Sequence, residues 1–354
     1  MENIVFVLPG LGKGGAERVV SELANEMTNR SYRVIVLLLD NNVIEYSLNP
    51  KIKVEFLAYD PTLSSIRRTR KRIRLLRNAI KRHQADTVIS FLTSANILSC
   101  FACRKLKVRL IVSERSDPSC NCSKKADMLR KSAYKYADGF VFQTDKAKAW
   151  FSKSIQNKSK IIKNPLNPKL PQVRQTWHKE IVTASRLEKS KNIEMLIDAF
   201  AMLAESDTAY QLKIFGSGTL EAELKQYAQA KHCRNQITFM GMDNDWHHKV
   251  LDASLFVLSS DYEGMSNSLM EALAIGLPCI ATDDRNGGAR SVIEQDRNGI
   301  LIPKRDTDAL YHAMCQVLKD DAVKNRFSLE ASKLKQSCDV SHICDEWLLF
   351  MRGE

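Results

Sequence analysis

Short apolar runs alternate with helical apolar periods over most of the chain. In the first half, residues 4–8, 33–39, 53–57, 85–90, 109–113, 139–143 and 160–162 read as strands. In the second half, residues 181–185, 211–215, 236–240, 255–258 and 279–282 do so. Between them, sets such as Val19, Leu23, Met27 and Ile193, Leu196, Ile197, Phe200 recur at helical spacing. Strand alternating with helix predicts α/β architecture with doubly wound parallel sheets. The alternation breaks at Asn164-Pro-Leu-Asn-Pro168-Lys-Leu-Pro171, a proline-punctuated stretch without an apolar period that reads as a linker. Two Rossmann-like domains follow from this, residues 1–168 and 169–335. A last stripe, Ile343, Trp347 and Phe350, must be buried against something.

The most informative stretch is Asp261-Tyr-Glu-Gly-Met-Ser-Asn-Ser-Leu-Met-Glu-Ala-Leu-Ala-Ile-Gly276. It follows an apolar run and carries a helical period that Gly276 and Pro278 end. Ser266 is placed to cap that helix, so the amides of Gly264, Met265, Ser266 and Asn267 lie at the positive end of its dipole, where phosphate binds readily. Glu263 and Glu271 are acceptor-only carboxylates, which suit hydroxyls rather than phosphate. A nucleotide-sugar offers both groups. A surface helix with two solvated glutamates explains the spacing alone better. Arg186 and Lys191 tip the balance, because they fall in the loop after strand 181–185, at the strand end where open α/β sheets bind ligands.

Glu263 and Glu271 with seven residues between them, preceded by Arg186 and Lys191, resemble the donor site of the family 4 retaining glycosyltransferases. The resemblance spans nearly the whole chain. It implies the GT-B fold, in which two Rossmann-like domains face each other across a cleft, with a terminal helix, here about 336–354, crossing back onto the first domain. It also implies that the chain is a hexosyltransferase in which Arg186, Lys191 and Glu263 carry catalysis. Arg186 and Lys191 would hold the donor pyrophosphate, Glu263 the transferred sugar and Glu271 the ribose. Gly12, Gly216, Met240, Gly264, Met265, Ser266 and Asn267 would line the donor side. The run Glu-Gly-Met-Ser-Asn-Ser-Leu-Met-Glu-Ala is similar to enzymes that build bacterial surface polysaccharide or lipid-linked oligosaccharide. The expected donor is therefore a nucleotide-sugar, with UDP the expected nucleotide, and the acceptor a hydroxyl of a lipid-linked glycan. Lys13, Arg115 and Asp117 are acceptor-side candidates; Arg115 and Asp117 stand in a loop where many family members have a histidine. Asn286-Gly-Gly-Ala-Arg290 resembles a further family loop, with Ser291 where an acidic residue is frequent. No residue reads as a nucleophile placed for a covalent intermediate.

Net charge changes this picture in one place. The formal charge is +12, and residues 66–82 concentrate it. There Ile66, Thr69, Ile73, Leu76 and Ile80 form a narrow stripe, with Arg or Lys over much of the remaining surface. Such a helix is either an outer helix with solvated cations or a contact for anionic lipid headgroups and acceptor pyrophosphate, with Arg67, Arg70, Arg74, Arg77 and Lys81 as the contacts. Nucleic acid is disfavoured, since no aromatic residue interleaves the cations for base stacking. With no charged apolar leader and no apolar run near the roughly 18 residues of a membrane span, the expected location is cytoplasmic, peripheral on the inner face of the membrane.

Three rivals remain open on sequence. Gly10, Gly12 and Gly15 with Asp40 match a dinucleotide fingerprint and would make an NAD(P)-dependent oxidoreductase, although Glu17 places negative charge where pyrophosphate would sit. A UDP-GlcNAc epimerase on the same fold and a non-catalytic membrane module built on residues 66–82 are the others. Nine cysteines imply no disulfide framework. Cys100, Cys103, Cys120 and Cys122 make a weak zinc quartet, and Asp243-Asn-Asp245 reads as a loop rather than a metal site, so no metal and no cofactor are expected.

Overall fold

The structure, a computed structural model, describes residues 2–59, 61–115, 117–118, 124–173 and 176–354. The chain divides into two compact units, Met1–Pro165 with Asp339–Glu354, and Leu166–Cys338.

The first unit begins β1 (Asn3–Leu8), α1 (Gly15–Asn29), β2 (Arg33–Leu38), β3 (Lys53–Phe56), α2 (Ser65–Arg82), β4 (Thr87–Phe91) and α3 (Thr93–Cys103). It continues β5 (Arg109–Ser113), α4 (Lys124–Ala133), β6 (Gly139–Phe142), α5 (Asp145–Ala149), α6 (Lys153–Gln156) and β7 (Ser159–Ile161). Among the described residues its seven strands are all parallel, in the order β3-β2-β1-β4-β5-β6-β7. Central strands such as Ile4-Val-Phe-Val-Leu8 are fully buried because helices cover both faces, which is why they read as continuous apolar runs. The strand order reverses between β1 and β4, so the loops at their carboxyl ends splay apart and leave room for a ligand.

The second unit comprises β8 (His178–Ala184), α7 (Ile193–Ser206), β9 (Gln211–Phe215), α8 (Glu221–Gln229), β10 (Ile237–Gly241), β11 (Ala253–Leu258) and α9 (Asn267–Ala274). It ends with β12 (Cys279–Thr282), β13 (Ile300–Ile302), α10 (Thr307–Leu318), α11 (Asp321–Ser332) and α12 (Leu334–Ser337). Among the described residues its six parallel strands run β10-β9-β8-β11-β12-β13, with the switch between β8 and β11. The edge strand β13 is not among the strands read from the apolar pattern.

The last helix, α13 (Val340–Arg352), belongs to the first unit. Its apolar stripe lies in the core shared with α1, where Ile343 and Trp347 meet Val19, Leu23 and Met27. Trp347 is fully buried and stacks on Phe91 of β4 with ring centroids 5.7 Å apart. Arg109 of β5 donates to the Phe350 carbonyl at 3.0 Å, tying the helix end to the sheet.

Candidate active site

The loop after β8 is stitched to the end of β11. Asp261 donates its backbone N–H to the Ser190 carbonyl at 2.8 Å, and the Ser259 hydroxyl donates to the Lys191 carbonyl at 2.9 Å. These bonds hold Lys191 in a mostly buried position, from which its ammonium donates to Glu263 Oε1. The Ser260 hydroxyl donates to the same oxygen at 3.1 Å. Arg186, in the same loop, is exposed and carries no ion pair among the described residues.

Two glycines let the neighbouring loops close on this one. Gly216 has φ of +128°, and a Cβ there would lie 1.8 Å from the Ser185 carbonyl oxygen, so only glycine fits without moving backbone. Its N–H donates to the Gly241 carbonyl at 2.8 Å, which brings the Met240-Gly241 segment alongside, with Met240 and Met242 exposed. On the other side, a Cβ on Gly288 would lie 1.6 Å from the Gly264 carbonyl oxygen.

That second approach belongs to a clamp on the backbone of Glu263. Asp284, which is buried, accepts the Glu263 N–H through Oδ2 and the Gly287 N–H through Oδ1 at 2.7 Å. Asn286 donates its side-chain amide to the Glu263 carbonyl at 2.8 Å. Burial pushes the Asp284 carboxyl above the usual carboxylate range, and the backbone N–H groups pull it back part of the way. The Glu263 carboxylate is therefore fixed from both ends of its residue just before α9 begins.

Helix α9 starts as its sequence suggests. Ser266 is the N-cap, with its hydroxyl accepting the Leu269 N–H at 3.4 Å. Gly264, Ser266 and Asn267 are half-buried and Met265 is buried. Glu271 lies deeper, buried, with Oε2 2.9 Å from Nε2 of buried His247. The His247 ring packs on Trp246, centroids 4.6 Å apart. The sequence pattern singles out neither His247 nor Asp284. The loop at Asn286 is marked by its resemblance to a family loop, but the hold of that loop on Glu263 is not. Arg305 is also missed; its guanidinium donates twice to Asp261 Oδ2, from Nε at 2.9 Å and Nη2 at 2.6 Å. Asp243 pairs with Lys249 at 2.6 Å and accepts the Asp245 N–H at 2.8 Å, the arrangement of a loop.

In the first unit, space around Gly12 is open and Lys13 is exposed, 4.0 Å from Glu45. Arg115 and Asp117 are both buried. Ser116 lies outside the described residues, as do Cys120 and Cys122 of the zinc quartet. Cys100 and Cys103 are buried in α3; burial pushes both thiols up, that of Cys103 to about 12. At the start of α1, the Glu17 carboxylate occupies the space beside Gly14, 2.0 Å from where a Cβ would stand, and Asp40 is paired with Arg72. Asp40, which the dinucleotide reading needs, is thus engaged with Arg72, and the Glu17 carboxylate stands at the entrance to α1.

Helix α2 corrects one expectation. Arg77 does not face outward: it donates to the carbonyls of Phe101 at 2.8 Å, Ala102 at 2.9 Å and Arg104 at 3.3 Å, closing the carboxyl end of α3. Arg67, Arg70, Lys71, Arg74 and Lys81 are exposed and, among the described residues, carry no ion pair. At 100° per residue they share one outward arc of the helix. Among the described residues no helix is long and apolar enough to cross a membrane.

Known proteins resemble the chain over nearly its whole length. Residues 13–170 match the model described as Glycosyltransferase Family 4, and residues 172–334 the model described as Glycosyl transferases group 1. The chain is 27% identical to the GalNAc-alpha-(1->4)-GalNAc-alpha-(1->3)-diNAcBac-PP-undecaprenol alpha-1,4-N-acetyl-D-galactosaminyltransferase of Campylobacter jejuni, covering 98% of both chains. It is 26% identical to the N-acetylgalactosamine-N,N'-diacetylbacillosaminyl-diphospho-undecaprenol 4-alpha-N-acetylgalactosaminyltransferase of the same organism, over 100% of both. Among solved structures, HepE of Anabaena in complex with UDP and glucose superposes with a TM-score of 0.86 at 17% identity, covering 100% of both chains. Sucrose-phosphate synthase of Thermosynechococcus elongatus does so with a TM-score of 0.82 at 17% identity, covering 100% of this chain and 99% of that one. The fold is GT-B, and the chain belongs to the family 4, group 1 glycosyltransferases.

Proposed function

We propose that this glycosyltransferase moves a sugar, with retention of configuration, from a UDP-sugar to a hydroxyl of a glycan carried on a polyprenyl diphosphate. The observation that carries the reading is the entrance to α9, where Lys191, Glu263 and the helix amides stand together on a backbone held by Asp284 and Asn286. Arg186, Lys191 and the helix end would stabilise the departing diphosphate as its charge develops. Glu263 would orient the transferred sugar, and Glu271, steadied by His247, would meet the ribose. Since these cations supply positive charge at the leaving group, the reaction is proposed to proceed without a metal. The acceptor class is supported by the two Campylobacter relatives, whose names specify undecaprenol diphosphate substrates.

The outward cations of α2, Arg67, Arg70, Lys71, Arg74 and Lys81, would hold the protein on the anionic inner face of the cytoplasmic membrane, each contributing about 1 kcal/mol near such a surface. The test is a melting-midpoint panel with UDP, GDP and NAD, followed by transfer from UDP-sugars to an undecaprenyl-diphosphate glycan with EDTA present. A ligand at about 100 times its Kd stabilises by roughly 2.7 kcal/mol. Protection by UDP that Arg186→Ala removes supports the reading; protection by NAD alone overturns it.

A further inference from the structure

Arg115 is the least satisfied charge in the described part of the molecule. It follows β5, is 8% exposed, and its three guanidinium nitrogens are buried without a hydrogen-bond partner among the described residues. The guanidinium lies over Phe91, the last residue of β4, with its carbon 4.9 Å from the ring centroid. Burial pulls its pKa down to about 9, so it remains a cation at neutral pH. The adjacent Glu114 is committed elsewhere: it accepts from the Tyr134 hydroxyl and from Thr93 Oγ1 at 3.1 Å, and lies 3.8 Å from Arg130. A buried, unpaired cation is strongly unfavourable, so its place in the fold calls for an anion from outside the chain.

The position favours a ligand. Phe91 ends β4 beside the strand-order reversal of the first sheet, where open α/β sheets bind their substrates. Helix α3 starts two residues later, and its N-cap, Leu92, has φ of +73° and gives no side-chain cap. The Thr93 hydroxyl turns to Glu114 rather than to the helix amides. Among the described residues the N-cap thus gives this eleven-residue helix no side-chain cap, and the helix begins two residues beyond the ring that the guanidinium covers.

We infer that Arg115, with the amino end of α3, forms a phosphate-binding site in the first unit that takes a phosphoryl group of a substrate. A planar guanidinium matches phosphate oxygens in a fork, and the helix amides supply further donors. The inference rests on the proposed transferase reaction, whose two substrates both carry diphosphate.

The test uses the full chain, Arg115→Gln and Arg115→Lys, with Arg186→Ala as a separate control. Melting midpoints are read without ligand and with inorganic pyrophosphate, UDP and undecaprenyl diphosphate. Without ligand, Arg115→Gln should melt no lower than wild type, because it removes an unpaired buried charge. With ligand it should bind one of the two substrate diphosphates at least about tenfold more weakly, the loss of a charge-assisted pair, and Arg115→Lys should recover part of that. Weakened undecaprenyl diphosphate binding assigns the site to the acceptor; weakened UDP binding assigns it to the donor. Unchanged affinity for both, or a lowered midpoint without ligand, overturns the inference. Loss of UDP protection in Arg186→Ala alone would leave the transferase reading standing while the Arg115 site fell.

Discussion

Lys191→Met and Glu263→Gln, made singly and together, measure how firmly the entrance to α9 is held. The two side chains are 10% and 18% exposed, and the ammonium donates directly to the carboxylate. Two unit charges about 3 Å apart attract by about 1.4 kcal/mol in water and about 5.5 kcal/mol at an effective dielectric constant near 20. Drawing both charges out of water offsets much of the larger figure. The pair keeps some solvent, and Glu263 retains the Ser260 hydroxyl when Lys191 is removed. A coupling energy of about 2 kcal/mol is therefore expected, between the ~0–1 of exposed pairs and the ~3–5 for stripping one partner from a sealed pair. Urea unfolding of the four proteins, followed at the second unit, gives the coupling from the double-mutant cycle. Both single variants should also lose sugar transfer. A coupling below about 0.5 kcal/mol, within the scatter of independent sites, would refute the claim that this pair organises the α9 entrance.

Gly288→Ala should cut transfer far more than Gly12→Ala, because its Cβ would strike the Gly264 carbonyl whereas space around Gly12 is open; comparable rates would count against the clamp. Trp347→Ala should destabilise the first unit by about 3–5 kcal/mol, the usual cost of emptying a large aromatic site, as read by urea unfolding. Reversing Arg67, Arg70 and Arg74 to Glu should weaken binding to anionic vesicles by at least about 100-fold, at about 1 kcal/mol per cation lost, while UDP protection stays unchanged. The buried Asp284 carboxyl is raised above its ordinary value of 3.8, so its contribution to stability is fully present below that pH and is lost as pH rises through the folded pKa. Asp284→Asn should therefore flatten the stability profile from about pH 4 upward, and an unaltered profile would contradict the assigned burial.

What could be read from the sequence was mostly local. Strands such as Leu255–Leu258 announce themselves because both faces are covered, leaving an unbroken apolar run. The cap at Ser266 and the loop placement of Arg186 and Lys191 need only neighbouring residues to be seen. The contacts that fix the site are different. Asp284 and Asn286 meet Glu263 across 21 and 23 positions, and His247 meets Glu271 across 24, distances over which no period runs. Arg77 illustrates the same limit: helical spacing places it on the basic side of α2, but only the neighbouring α3 turns its guanidinium toward three carbonyls.

The two units solve the same electrostatic problem in opposite ways. Each brings a cation to the carboxyl ends of its strands near the amino end of a helix, Lys191 at α9 and Arg115 at α3. Lys191 is matched by Glu263 within the protein, so an incoming phosphate must share it with a carboxylate already in place. That arrangement keeps the empty site stable and makes the geometry of Glu263 answer to the ligand. Among the described residues Arg115 has no such partner, so the fold bears the cost of its burial until an anion arrives, and binding there relieves a penalty rather than redistributing a contact. Neutralising the two positions should thus have opposite effects without ligand: Lys191→Met destabilises because it strands Glu263, whereas Arg115→Gln leaves the fold as stable or more so. Destabilisation by both substitutions would place Arg115 among structural residues and remove the contrast.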